Sequence, residues 1–364
     1  HVADYVVGGS EEGIKVVLDA LIQRTSMELQ RVMQQHADRH ARKTEQRRRR
    51  SEQGDSRSMY DTVRPDKAIT LPFDHLRIPN GTDANGEKQY THASGQAEVA
   101  AGCTANWQSL FNIDDWTPNE AAVRSFLTAI EDESQHHVTA QQAALLTPAV
   151  MFSAGKVEVA INKLTKGTMP GASGITIDLI ADPTWRGEMA KHISRVAIDC
   201  FQRGELLCSM REAVISILYK GKGLARDLCA SYRPVSLTDM TLRVIDKCIQ
   251  LALNKVMPTV LCGINTAFLP DEHIEDSVMN TAECARYCHR NGGGAIALLD
   301  AEKAYDRAHI PFLERVLHAM QFPAVFVNVI TTLHKNHWAR LKVNGHVGTA
   351  FHRANGLLQG LPSS

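Results

Sequence analysis

The spacing of hydrophobic residues predicts a chain that mixes helices and strands. Apolar positions recur at helical intervals in some segments, and elsewhere they form short β-like runs. The downstream helices are predicted at residues 189–201, 241–256 and 310–320. Strands are predicted at residues 213–219 and 295–299, and a hairpin at residues 340–343 and 347–351, joined by the turn-forming pair Asn344-Gly345. Because helices are mixed with an antiparallel hairpin, the pattern favours an α+β fold.

The first 155 residues divide into three parts by the same criterion. Residues 1–50 keep helical spacing and end in four arginines, which predicts a basic helical segment. Residues 51–105 are polar and interrupted by prolines and glycines, which predicts a polar linker. Residues 106–155 resume the helical pattern and predict a helical region. The arginine run, Arg47–Arg50, can be a nucleic-acid or nuclear-targeting patch, but such a run is more often a solvated helix end.

Charge is informative only locally. The 40 basic and 40 acidic residues give a net charge of zero, which favours no class of partner. Residues 21–50, however, hold nine basic and three acidic residues, a local charge of +6, and residues 331–364 hold four basic residues and no acidic one. An anionic partner is expected to meet these two regions first. The absence of an apolar run of about 18 residues predicts no membrane contact.

The cysteines predict neither a disulfide framework nor a metal finger. Eight cysteines are spread irregularly, which indicates a reducing compartment. Cys284, Cys288 and His289 form the nearest approach to a zinc site, but no second pair follows at finger spacing. We therefore interpret them as ordinary helix-surface or apolar thiols.

The strongest candidate for chemistry is the segment LLDAEKAYDR, in which Asp300 closes the predicted strand at residues 295–299. An acid at the end of a buried strand commonly holds a cation, since its desolvation is otherwise costly. By spacing alone, Asp300 could equally be the N-cap of a helix that begins near Ala301. Asp306, about 120° round such a helix from Asp300, is predicted to be a surface ion-pair partner of Arg307 or Lys303.

Two further segments supply groups that suit a phosphorylated ligand. The strand at residues 213–219 runs into the basic glycine turn KGKG, and the segment RPVSL follows, so Lys220 and Arg233 could together clamp a polyphosphate. Near the end of the sequence, GLLQGLPSS offers glycines for close approach and the amide of Gln359 for contact with a base or sugar.

In this order, the segments resemble the reverse transcriptase domain of LINE-type (non-LTR) retrotransposons over about residues 157–364. The resemblance rests on six motifs. They are a glycine-rich opening (Lys166 to Ile177), the lysine strand with RPVSL (Tyr219 to Leu237), an imperfect "gFxxgRxI" (Ala267 to Ile274), "DxxKAYD" (Asp300 to Asp306), the "vNG" turn (Val343 to Gly345) and "GxxQGxPxS" (Gly356 to Ser364). In the third motif, Asp271 and Glu272 replace the family's glycine and arginine and reverse the local charge.

The resemblance implies roles for individual residues. It implies that Asp300 is catalytic and coordinates Mg²⁺, which bridges the nucleotide phosphates. It also implies a nucleotide site in which Tyr305 excludes a ribose 2′-OH, so that deoxynucleotides are preferred. The other implied nucleotide-binding residues are Lys220, Arg233, Ala301, Gln359 and Gly360.

The resemblance further implies fingers at residues 156–290 and a partial palm at residues 291–364, as in right-hand polymerases. We expect the family's "F/Y-x-D-D" segment to lie beyond Ser364, so the sequence predicts a fragment that is inactive alone. The expected partners are an RNA template, a DNA primer and deoxynucleoside triphosphates, in the nucleus or a cytoplasmic ribonucleoprotein. A non-catalytic RNA-binding remnant and a group II intron maturase-type enzyme remain the alternatives.

Overall fold

The structure is a computed structural model whose contacts divide the chain into two units, His1–Leu71 and Pro72–Ser364. It describes residues 75–82, 87–112, 118–221, 224–261, 267, 269–291, 293–295, 297, 299–301 and 303–363, together with Met27 and Arg31, which are both helical. Apart from those two positions, the predicted basic helical segment at residues 1–50 lies outside the described residues, as does the whole arginine run.

Within the described residues, six strands form a separate hairpin and a four-stranded sheet. The strands are β1 (His75–Thr82), β2 (Lys88–Ser94), β3 (Glu212–Tyr219), β4 (Tyr232–Thr238), β5 (His337–Val343) and β6 (His346–Arg353). Strands β1 and β2 pair antiparallel with each other. The sheet has the order β4-β3-β5-β6, in which β3 and β5 are parallel and the two outer pairs are antiparallel. A mixed sheet with many helices confirms the predicted α+β class.

Helices fill most of the remaining described chain. They are α1 (Gln96–Phe111), α2 (Glu120–Asp132), α3 (Ala140–Leu145), α4 (Pro148–Met151), α5 (Ala154–Lys163), α6 (Ile177–Ile180), α7 (Arg186–Arg203), α8 (Cys208–Arg211), α9 (Met240–Leu253), α10 (Met257–Val260), α11 (Ile274–Arg290), α12 (Ile310–Ala319) and α13 (Ala324–His334). In the part of the chain that the structure describes, no helix has both the length and the apolar character needed to cross a bilayer.

Two hydrophobic clusters hold these elements together. The larger cluster joins the helices, with fully buried residues such as Phe152, Leu242 and Phe326. The smaller one lies between α1 and the sheet, where Trp107 and Phe111 pack with inward-facing residues of β3, β5 and β6. The sheet is therefore covered by a helix that precedes it in sequence by about 100 residues.

The prediction of a polar linker at residues 51–105 is wrong in part. Its described residues form β1, β2 and the first turns of α1, and Leu76, Val99 and Cys103 are buried against the sheet. Polar residues separate these few apolar positions in the sequence, so the pattern is weak until the sheet supplies the surface that they cover. The helix begins after Gly95, whose positive φ of 81° suits glycine.

The predicted strand at residues 295–299 is also wrong. Its described members, Ala295, Ala297 and Leu299, are exposed and lie in no strand, and Leu299 is 94% exposed. None of the four strands of the described sheet pairs with this segment. A five-residue run has too few side chains to stay extended without a neighbouring strand to bond its backbone.

Candidate functional site

Trp107 of α1 and three separate parts of the sheet edge and its loops surround one cavity of about 260 Å³. The three parts are the end of the β3–β4 pair, the turn at residues 303–307 and the loop that follows β6. The residues that line the cavity are Trp107, Lys220, Tyr232, Arg233, Pro234, Lys303, Ala304, Tyr305, Asp306 and Gln359. Four predicted site residues, far apart in sequence, therefore meet at one place: Lys220, Arg233, Tyr305 and Gln359.

The β3–β4 ladder fixes the two predicted phosphate-binding cations. Leu218 pairs with Arg233 across the ladder, and the backbone N–H of Lys220 donates to the Ser231 carbonyl at 2.9 Å, which extends the pairing by one residue. The Lys220 ammonium donates to the Ala230 carbonyl at 2.7 Å. Because Lys220 is half-buried and Arg233 is exposed, both cations remain within reach of a ligand from solvent.

A tight turn presents Tyr305. The backbone N–H groups of Asp306 and Arg307 both donate to the Lys303 carbonyl, at 3.0 and 3.1 Å. Lys303 has a positive φ of 53°, which is uncommon outside glycine and marks a constrained turn. The half-buried Tyr305 accepts a hydrogen bond at its carbonyl from the Leu357 N–H, at 2.7 Å. This bond ties the Tyr305 turn to the loop after β6.

Two glycines allow that loop to lie directly against its neighbours. A Cβ at Gly356 would come 2.6 Å from the Asp306 carbonyl oxygen, and a Cβ at Gly360 would come 2.8 Å from the Ser236 carbonyl oxygen. Both glycines also have positive φ. Between them, the Gln359 carbonyl accepts from the Ser236 N–H at 2.7 Å. The loop thus holds Gln359 at the cavity, whereas Gly360 is exposed and does not line it.

Asp306 is not the surface ion-pair partner that the sequence predicts. Residues 303–307 form a turn rather than a helix, and Asp306 is only 5% exposed. Its Oδ1 is buried and has no hydrogen-bond partner among the described residues. Burial raises the pKa of this carboxyl, and the positive charges of Arg353, Lys303 and Lys220 oppose part of that rise.

Arg353 does not line the cavity but binds the loop that follows β6, and the sequence analysis missed this role. Its Nε donates to the Asn355 carbonyl at 3.0 Å and its Nη2 to the Leu357 carbonyl, and its guanidinium lies 4.3 Å from the Phe111 ring centroid. Burial lowers the pKa of Arg353 to about 10, while Asp306 opposes the shift. A basic residue directly before the glycine loop was the available signal.

Trp107 was also missed, since it lies in the part of the chain before any recognised motif. It comes from α1, is 0% exposed and lines the cavity beside the Tyr305 turn. Its i, i+4 spacing to Phe111 places both rings on one face of the helix, and the rings stack with centroids 6.3 Å apart. The spacing of Trp107 and Phe111 indicated an aromatic helix face, but it did not identify the surface that this face would cover.

The structure does not bring Asp300 and Ala301 into this cavity. Both are exposed, neither is helical, and α12 begins only at Ile310, with His309 as its N-cap. The alternative in which Asp300 caps a helix starting near Ala301 is therefore wrong. No group of three His, Cys, Asp or Glu residues able to hold a metal ion occurs within the described residues, including the segment of Cys284 and Cys288.

Two comparisons with known proteins bear on this geometry. The family model described as "Reverse transcriptase (RNA-dependent DNA polymerase)" matches residues 219–364. A Xenopus laevis protein, "Transposon TX1 uncharacterized 149 kDa protein", is 30% identical over 206 residues, which are 56% of this chain and 15% of the relative. The chain thus spans a small part of that relative's length. These matches confirm the resemblance predicted from the motifs, and the family match contains every predicted site residue.

Proposed function

Since residues 219–364 form a reverse transcriptase domain, we propose that the cavity binds the incoming deoxynucleoside triphosphate in RNA-templated DNA synthesis. One observation carries the proposal: Lys220, Arg233, Tyr305 and Gln359, which come from three distant segments, line the same cavity. A LINE-type element would supply RNA as template and DNA as primer, and the nucleus or a cytoplasmic ribonucleoprotein is the proposed location.

The cations at the β3–β4 end are the proposed phosphate-binding groups. A guanidinium can bind two phosphate oxygens at once, and an ammonium acts as a compact charge beside it. Lys220 is oriented by its bond to the Ala230 carbonyl, while the exposed Arg233 retains its donors for the ligand. Their task is to hold the triphosphate, so that its reacting end is oriented rather than free in solution.

Tyr305 is the proposed sugar-selecting residue. The turn at residues 303–307 and the Leu357-to-Tyr305 hydrogen bond fix its backbone, and its half-buried ring lines the cavity. A ring that fills the space beside the sugar would collide with a ribose 2′-OH and leave room for deoxyribose. Gln359, held by the Ser236 bond, is placed to contact the base or its template partner.

Reverse transcriptases generally use divalent metal ions, which would neutralise phosphate charge during the reaction. The described residues do not by themselves fit such an ion. They include no three-ligand cluster, and the one buried carboxylate at the cavity, Asp306, faces three cations instead. Asp300, an exposed carboxylate, stays the predicted ligand, and we derive no step of the reaction through the metal.

A binding experiment tests this proposal. Titrating the 364-residue chain with dATP and with ATP should show tighter binding of dATP, because only ATP carries the 2′-OH. Tyr305→Ala should remove most of this preference by strengthening ATP binding. Tyr287→Ala is the matched control, since Tyr287 is 69% exposed on α11 and lines no part of the cavity. Failure of the wild-type chain to bind dATP, or unchanged selectivity in Tyr305→Ala, would contradict the proposal.

A further inference from the structure

The cavity includes a residue from outside the reverse transcriptase match. Trp107 lies on α1, more than 100 residues before the matched range of 219–364. The helix is anchored on the sheet by the buried cluster that includes Val99, Cys103 and Leu110. Its position relative to the cavity is therefore fixed by the same packing that holds the sheet.

The Trp107 ring makes a cation–π contact with Lys303, another residue that lines the cavity. The Lys303 ammonium lies 4.8 Å from the centroid of the Trp107 ring, within the range of a cation–π interaction. The indole Nε1 is buried and has no hydrogen-bond partner among the residues described, so burial of this side chain carries a cost that a phenylalanine would avoid. The ring face, rather than the indole N–H, makes the specific contact.

Lys303 is well placed to use that contact. It lines the cavity with Lys220 and Arg233, and its charge acts on the buried Asp306 carboxylate. Ordering its four-carbon side chain costs free energy. The aromatic face reduces the number of positions that the ammonium can take and keeps it at the wall of the cavity.

The neighbouring turn of α1 repeats this arrangement. Phe111, one turn after Trp107, lies under the guanidinium of Arg353 at 4.3 Å, and it stacks on both Trp107 and Phe351. The charges of both supported cations act on Asp306, that of Arg353 from the end of β6 and that of Lys303 from the turn that also contains Asp306. One helix face therefore supports two cations of the reverse transcriptase domain.

We propose that Trp107 is a positioning residue for nucleotide binding: it holds the Lys303 ammonium at the cavity as a third cation for the triphosphate. This inference rests on the function proposed above and extends it to a helix outside the family match. Because Trp107 acts through Lys303, its effect depends on the phosphates of the ligand and not on its base or sugar.

Titration of the full chain with dATP and with deoxyadenosine tests the inference. Trp107→Leu should weaken dATP binding about 2- to 30-fold, the range of a cation–π contact. Lys303→Met should weaken it at least as much, because it removes the ammonium itself, and both variants should leave deoxyadenosine binding unchanged. Trp107→Phe keeps an aromatic face and should restore most of the affinity. The double variant should lose little more than Lys303→Met alone, because Trp107 acts only through Lys303.

Controls separate this inference from a general loss of structure. Leu110→Ala removes a neighbouring buried side chain of α1 that lines no part of the cavity, and it should lower thermal stability without changing dATP affinity. If Trp107→Leu does not fold, Trp107→Met, which keeps a long apolar side chain without an aromatic ring, replaces it in the comparison with Lys303→Met.

The outcomes also separate the inference from the proposed function. If the wild-type chain binds dATP and Lys220→Gln weakens that binding, but Trp107→Leu and Lys303→Met bind like wild type, the inference alone is overturned. An equal loss for dATP and deoxyadenosine would overturn it as well, since the effect would not act on the phosphates. A wild-type chain that does not bind dATP overturns both.

Discussion

The loop at residues 354–363 and the stretch at residues 293–301 both carry sequence patterns that predict a site, yet they are held very differently. The loop has Leu358 and Leu361 buried, and hydrogen bonds connect it to the Tyr305 turn and to β4. In the stretch, Leu299 is 94% exposed and no described strand pairs with it. A motif identifies the residues; their placement depends on the surfaces that contact them.

Gly356→Ala should break the loop's attachment and have the largest effect. The new Cβ would lie 2.6 Å from both the Asp306 carbonyl oxygen and the Arg353 Nη2, at a φ of 86°. Backbone strain and overlap together should lower the free energy of unfolding by about 2 to 5 kcal/mol, as measured by urea denaturation.

Gly345→Ala is the matched control for that variant. Gly345 has the same φ of 86°, but a Cβ there would meet nothing within 4 Å. It should therefore show the strain alone, about 1 to 2 kcal/mol. Equal losses in the two variants would mean that close packing of the loop on Asp306 contributes nothing.

The elements that the sequence predicted well are those with local causes. Periodicity located α7, α9 and α12, and the Asn344-Gly345 pair located the β5–β6 turn, where both residues have positive φ. These patterns require no knowledge of distant parts of the chain. The same holds for Gly356, whose role in a close approach was inferred from its residue type.

Features that depend on a distant surface were missed. The hairpin β1–β2 and the burial of Trp107 need the sheet, which forms more than 100 residues later. The sequence predicted Asp306 on a helix surface, because the helical pattern of its neighbours contains no information about the loop that covers it. The strand at residues 295–299 failed for the opposite reason, since a local apolar run has no partner in the described sheet.

Asp246 gives a second way to test how the loop is anchored. This fully buried carboxylate of α9 accepts hydrogen bonds from the N–H and hydroxyl of Ser363. Burial raises its pKa from the ordinary 3.8 to about 6, and the Ser363 bonds oppose part of the rise. The pKa of Asp246 is higher in the folded chain than in the unfolded chain. The stability that protonated Asp246 contributes is therefore fully present below about pH 4 and is lost as the pH rises through about 6.

Asp246→Asn should remove that pH dependence. The free energy of unfolding of wild type minus that of the variant should fall by up to about 3 kcal/mol between pH 4 and pH 7. Burial lowers the pKa values of His334 and His337, so these two residues make the protein less stable as the pH falls. Wild type and variant share both histidines, so their contribution cancels when the two free energies are subtracted. A difference that stays constant with pH would show that Asp246 ionises as it does in the unfolded chain.

Leu299→Ser tests the other side of the comparison and should have the smallest effect. A side chain that is 94% exposed gains almost nothing from burial, so its loss should change the free energy of unfolding by less than about 0.5 kcal/mol. Leu358→Ala, in the same urea assay, is the positive control and should cost about 2 to 5 kcal/mol, because Leu358 is buried in the larger cluster. A loss above about 1 kcal/mol for Leu299→Ser would mean that the stretch is packed in solution, and the two regions would then be held alike.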